Sequence, residues 1–245
     1  MPGNVQRNMV EMEEDHKFRK LNEISKLYSN FDEQAPAQMH SDKHVGYFQS
    51  LQPETVVKAK MLADQNPKLE FTPDVNALLS MVITDEIDKE LKAYLGSNYA
   101  VMSFGYRELT AQSREDNPSI KWHCDVAPIN SAMVICYLND DEDHDSSTLF
   151  LSEETTKELK KLGYIYSFVK DRHENIDEML DYYQLDSTVD RHSFKAGESV
   201  IFGASQVAHR AEVPKEGTLR STLDIAVIPS PVPWQEALRR GFTPG

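Results

Sequence analysis

The chain has 245 residues, with 26 Lys plus Arg against 40 Asp plus Glu, a formal net charge of −14. That length suits one domain, or one domain with an appendage, and the charge argues against a surface that tracks a phosphate backbone. Hydrophobic residues make up 40%, which excludes a chain disordered throughout. The longest apolar run, Ala132 to Leu138, is too short to cross a bilayer. Met1 to Arg7 lacks the apolar core of a secretory signal. Two cysteines, Cys124 and Cys136, build neither a disulfide framework nor a four-thiolate zinc site. The expectation is a cytoplasmic protein with reduced thiols and no membrane or nucleic-acid partner.

Residues 1–30 are polar and charged, with helical spacing at Phe18, Leu21, Ile24 and Leu27. Gly46-Tyr47-Phe48 leads to Pro53-Glu54, a helix start, and a helix is predicted to about Asp64. From Asp74 the apolar positions step by three or four until Gly96, which predicts an amphipathic helix or helix pair. The texture then changes. Strands are predicted at Tyr99 to Tyr106, Ala132 to Leu138, Thr148 to Leu151, Gly197 to Gly203, Val207 to Val213 and Thr218 to Ile228. A polar loop fills Gln112 to Ser119. Residues 152–193 are charged and helix-patterned, and read as an insertion between strands. The acidic run Asp140 to Asp145 reads as a solvated loop, with His144, His173 and His192 on the surface. After Pro229, Pro231 and Pro233 a short helix from Trp234 to Arg240 is expected. Helices followed by many short strands describe an α+β chain with a sandwich or barrel. The division is 1–97 for the arm and supporting helices, 98–230 for the core with its insertion, and 231–245 for the tail.

A His-x-Asp pair on a strand puts both side chains on one face, because i and i+2 point the same way. Two such pairs are present, His40-Ser41-Asp42 and His123-Cys124-Asp125. The first lies in a polar stretch and reads as loop. The second follows Trp122, precedes an apolar strand, and has a third candidate partner in His209. Two histidines and one carboxylate with open positions are the ligand set of non-haem Fe(II) oxygenases. Arg220 and Thr222 alternate onto one face of the last strand, and an Arg fork suits both oxygens of a carboxylate.

In order, Trp122-His123-Cys124-Asp125, the strand Ser131 to Leu138, Ala196 to Phe202, His209-Arg210-Ala211 and Arg220-Ser221-Thr222 resemble the Fe(II)/2-oxoglutarate-dependent dioxygenases. The resemblance covers about residues 98–230. It implies a double-stranded β-helix, a cupin-like jelly-roll barrel, with N-terminal helices packed on it. It implies Fe(II) on His123, Asp125 and His209, and 2-oxoglutarate held by Arg220 with Thr222. Tyr106 and Thr148 are further candidate contacts to the oxo-acid, and Ser103 and Met102 are candidate wall residues. The implied reaction consumes O2 and 2-oxoglutarate, hydroxylates a C–H bond of a small organic molecule, and releases succinate and CO2. Ser147 to Leu151 departs from the family's Gly-rich segment. Ala226 stands where the nucleic-acid demethylase branch carries a second Arg, and Asp125 where a halogenase has Gly. Arg210 and Cys124 alternate away from the ligands. Residues 152–193 are expected to cover the mouth of the site. Two other classes stay open: a cupin-like metalloenzyme without 2-oxoglutarate, and a barrel module that binds without catalysis.

Overall fold

The computed structural model describes residues 44–49, 51–66, 72–114, 117–125, 131–164 and 171–243. The expected helix around Phe18 to Leu27 and the pair His40 and Asp42 lie outside them.

Three helices support one side of the molecule. Helix α1 (Pro53–Gln65) starts on Pro53 with Glu54 in its first turn. Helix α2 (Pro73–Val82) is capped by Thr72, whose hydroxyl accepts from the Val75 amide at 3.3 Å. Helix α3 (Asp85–Leu95) is capped by Thr84, carries three acids in its first turn, and ends on Gly96 at φ 66°. The predicted helix pair is thus two helices, divided at Ile83-Thr84. Their apolar stripes, including Leu78, Val82, Ile87, Leu91 and Leu95, are buried.

Those stripes pack on a five-stranded antiparallel sheet. Its strands are β1 (Val45–Gln49), β2 (Asn98–Thr110), β3 (Ala132–Tyr137), β6 (Glu198–Phe202) and β8 (Leu219–Ser230), in the order β1-β6-β3-β8-β2. Alternation along β8 sorts its residues. Leu223, Ile225 and Val227 join the helices in one apolar cluster, whereas Arg220, Thr222, Asp224 and Ala226 line the opposite, inner side. A smaller antiparallel sheet is ordered β5-β4-β7, from β5 (Val189–Arg191), β4 (Thr148–Leu151) and β7 (His209–Ala211). A bridge between His123 and His209 extends its β7 edge.

The two sheets face each other across a second cluster, in which Phe150 of β4 meets Phe202 of β6 edge to face at 5.0 Å. From β2 the chain passes to the small sheet at His123, to the large one at β3, and to the small one at β4 and β5. It then returns to the large sheet at β6, crosses to β7, and ends in β8. The expected α+β class is realised as two facing antiparallel sheets with flanking helices, and no closed barrel forms among the described residues.

Several expectations need correction. Gly46-Tyr47-Phe48 belongs to a strand, β1, which pairs with β6 and joins the N-terminal segment to the sheet of the core. The insertion contains strand β5, an exposed Val-Asp-Arg edge without the alternation that marks a strand in sequence. The helical part of the insertion therefore ends before Val189. Its helices, α4 (Glu153–Lys161) and α5 (Asp177–Tyr182), place Leu159, Ile176 and Leu180 against Leu149, Leu151 and Cys124. They pad the outer face of the small sheet. The acidic run is a short helical turn, Asp141–His144, not a solvated loop. His144 is fully enclosed there, and Asp141 is buried against Arg191 at 3.0 Å. The C-terminal segment packs back as well, with Ala237 and Phe242 buried against Ala100 and Ile228. No helix among the described residues is long and apolar enough to cross a membrane.

Candidate metal and oxo-acid site

The small sheet brings together the two histidines that the sequence separates. His123 and His209 exchange backbone hydrogen bonds, amide to carbonyl at 3.0 Å and 2.9 Å, so both side chains stand on one face with ring centroids 4.3 Å apart. Asp125 lies beyond the bridge, its amide bonded to the Ala204 carbonyl at 2.8 Å. Its Oδ1 is 3.6 Å from His123 Nε2. One ligand atom from each of His123, Asp125 and His209 falls within 4.8 Å of the others.

Backbone carbonyls fix the tautomers. His123 Nδ1 lies 2.7 Å from the Lys121 carbonyl, and His209 Nδ1 lies 2.9 Å from the Val207 carbonyl. A carbonyl accepts only, so each Nδ1 carries the proton and each Nε2 keeps its lone pair. Burial holds both imidazoles neutral, well below the usual histidine range, and for His123 the neighbouring His209 adds to this. Two neutral nitrogens and one carboxylate, with the far ring nitrogens anchored, are the donor set and outer support of a first-row divalent metal. These residues fit an iron site. Cys124, which separates His123 and Asp125 in the sequence, packs in the outer cluster, where burial pushes its thiol up to about 11.

Arg220 enters the same cavity, whose volume is about 390 Å³. Arg220 is buried, at 5% exposure. It donates to the Ser147 carbonyl at 2.9 Å, Thr148 Oγ1 at 2.8 Å and Tyr137 Oη at 3.1 Å, and it lies over the Tyr137 ring at 4.9 Å. It makes no ion pair among the described residues, so a buried positive charge faces only neutral partners. Such a charge is costly without an anion.

The structure brings His123, Asp125, His209, Arg220 and Thr148 to this cavity, together with Ser103 and Met102. It separates the other two candidates from the guanidinium. The Thr222 hydroxyl lines the cavity but donates to Asp224 Oδ1 at 3.0 Å. Tyr106 packs against the helix-side cluster, donates to Glu108 Oε1 at 2.7 Å, and is not among the described residues that line the cavity. Its position follows from strand parity, because Tyr106 pairs with Leu223 on the helix side of the sheet. Arg210 lies over the Trp122 ring at 5.4 Å, away from the ligands as expected. Three participants were not read from the sequence. Tyr137 ends an apolar strand and looks like core. Arg172 comes from the insertion, donates to the Pro118 carbonyl at 3.3 Å, and lines the cavity. Asp224 continues the inward parity of Arg220 and Thr222, and that alternation was the available signal.

No protein-family model and no curated protein matches the sequence. The structure is similar to the crystal structure of the non-heme alpha ketoglutarate dependent epimerase SnoN from nogalamycin biosynthesis. The TM-score is 0.51 at 10% identity, over 79% of this chain and 81% of that one. It is also similar to AviO1 from Streptomyces viridochromogenes Tue57, with a TM-score of 0.50 at 10% identity, over 84% of this chain and 99% of that one. The chain shares the fold of these two proteins.

Proposed function

We propose that the chain is an Fe(II)- and 2-oxoglutarate-dependent oxygenase built on a double-stranded β-helix. It hydroxylates a C–H bond of a small organic substrate and releases succinate and CO2. The observation that carries this reading is a buried guanidinium with no carboxylate partner among the described residues, in one cavity with two neutral histidines and an aspartate. The alternating passage of the chain between two facing sheets supports the double-stranded β-helix, as does the likeness to SnoN.

In this reading His123, Asp125 and His209 hold the metal. When bound, iron supplies O2 activation and chelation of the oxo-acid. Arg220 binds the distal carboxylate of 2-oxoglutarate through its fork, and Thr148 and Tyr137 fix the fork's orientation. Thr222 acts on Asp224 instead, and Tyr106 has no part in this subsite. Arg172 closes one wall beside Asn117 and Ser119 and restricts water at the reacting centre. The insertion thus reaches the cavity at Arg172, while its helices serve as a pad. Substrates are small molecules, not nucleic acids, consistent with the net charge of −14.

Succinate formation from 2-oxoglutarate with Fe(II) tests the proposal. A cupin-like metalloenzyme without the oxo-acid would bind metal and form none.

A further inference from the structure

Asp224 lies on the inner face of β8, opposite Gly105 of β2 and Ile135 of β3. It lines the cavity that holds the histidine cluster, and its side chain is 15% exposed. Oδ1 accepts from Thr222 Oγ1 at 3.0 Å, and Oδ2 forms an ion pair with Arg107 Nε at 2.5 Å. A carboxylate has about four acceptor sites, so acceptor capacity remains on both oxygens. Arg107 is 73% exposed: it balances the carboxylate's charge from the water side, but a pair so placed offsets only part of the cost of burying the carboxylate. An aliphatic side chain at this position would pack against Ile135 without that cost.

Beside the carboxylate there is room. A Cβ placed on Gly105 would meet no heavy atom within 4 Å, so its side of the sheet is open where Asp224 faces it. Ser103 and Ser131 add short polar groups to the same cavity. Phe202 is the aromatic residue among the described lining residues, and its ring is taken up by His209 at 4.8 Å.

We propose that Asp224 is a substrate-recognition residue and that the open space over Gly105 receives a hydroxyl-bearing part of a polyhydroxylated substrate. Hydroxyl is favoured over ammonium because Arg107 already balances the carboxylate's charge, which leaves hydrogen-bond acceptance as its main offer. The proposal rests on the oxygenase reading for the reaction that follows, but not for the binding itself.

The test uses the full chain loaded with Ni(II), with and without 2-oxoglutarate. The probes are myo-inositol and glucose as polyols, 1,4-diaminobutane as a diamine and benzoate as a flat ring, each followed by saturation-transfer NMR and titration. At least one polyol is expected to bind more tightly than diamine or benzoate. Gly105→Val, Asp224→Ala and the isosteric Asp224→Asn are each expected to weaken it tenfold or more. Circular dichroism verifies that each variant is folded, and the Asn variant keeps the side-chain volume if the Ala variant does not fold. Failure of both polyols, preference for the diamine or benzoate, or polyol binding indifferent to Gly105→Val and Asp224→Asn would overturn the proposal. Titration of 2-oxoglutarate into the wild type reports separately: its failure strikes the oxygenase reading and leaves the polyol result standing on its own.

Discussion

His209 donates its backbone amide to His123 and receives one in return, and the same bridge sets their rings 4.3 Å apart. A single strand pairing thus brings together two of the three candidate ligands from positions far apart in the chain. Because each Nδ1 is anchored by a carbonyl two residues back, the ligand nitrogens are oriented before any metal arrives.

His123→Ala, Asp125→Ala and His209→Ala are each expected to lower divalent-metal affinity by more than the ~10–100-fold that loss of an outer-shell partner costs. The fold should remain. His40→Ala and Asp42→Ala should be near neutral. Calorimetric titration of Ni(II), with circular dichroism beside it, checks this. Unchanged metal affinity in Asp125→Ala would remove that residue from the site.

Arg220→Ala should raise the 2-oxoglutarate requirement while metal affinity stays within a few-fold. The lost charge-assisted contacts are worth about 1.5–3 kcal/mol, roughly ten- to a hundred-fold. Thr148→Val should do the same more mildly, and more than Thr222→Val, because the Thr222 hydroxyl is given to Asp224. Competition titrations with 2-oxoglutarate rank the three, and a larger effect from Thr222→Val would reverse the assignment.

Within the insertion, scaffold and site should separate. Leu180 is 1% exposed in the outer cluster, so Leu180→Ala should cost about 2–5 kcal/mol of stability. Arg172→Met should leave stability nearly unchanged and increase 2-oxoglutarate consumption that is not matched by product. Denaturation midpoints and the succinate-to-product ratio measure the two effects. Equal coupling in Arg172→Met and wild type would limit Arg172 to a structural part.

The apo protein should lose stability as pH falls below about 6.5, the ordinary histidine value. His123, His209 and His144 all have folded values lowered chiefly by burial. The unfolded chain therefore takes up protons that the folded chain refuses, so their contribution is complete above the unfolded value and falls away below it. His144→Phe should flatten this slope in denaturant melts taken from pH 7 to pH 5. An unchanged slope would show that His144 does not take part.

Close approach explains one glycine. A Cβ on Gly203 would fall 1.8 Å from Tyr94 Oη, so Gly203→Ala should destabilise by about 1–3 kcal/mol. Tyr94→Phe in the same chain should recover part of that loss. Thermal melts of the two variants decide it, and equal melting temperatures would refute the contact.

Much of this fold was legible because its signals are local. Pro53 and Gly96 mark helix ends through their backbone geometry, and β3 and β8 carry the residues of buried strands. The cluster of His123, Asp125 and His209 was legible from spacing and order. What escaped depends on pairing. Strand β1 was hidden because Gly46-Tyr47-Phe48 is too short to show a period, and it becomes a strand only against β6. Tyr106 was misplaced because the irregularity between Val101 and Ser103 changes which residues of β2 face inward. His144 was read as surface from its acidic neighbours, yet its helical turn folds it beneath Arg220 and Asp141. Arg172 reaches the cavity through a tertiary path that no local pattern encodes.

The most direct measurement is succinate release from 2-oxoglutarate by the full chain under air. It is run with and without Fe(II), and beside His209→Ala and Arg220→Ala. The account predicts iron-dependent succinate formation by the wild type, abolished in His209→Ala and restored toward wild type in Arg220→Ala only at raised 2-oxoglutarate. Metal binding without succinate across a broad set of small polar substrates, or undiminished succinate formation in His209→Ala, would contradict it.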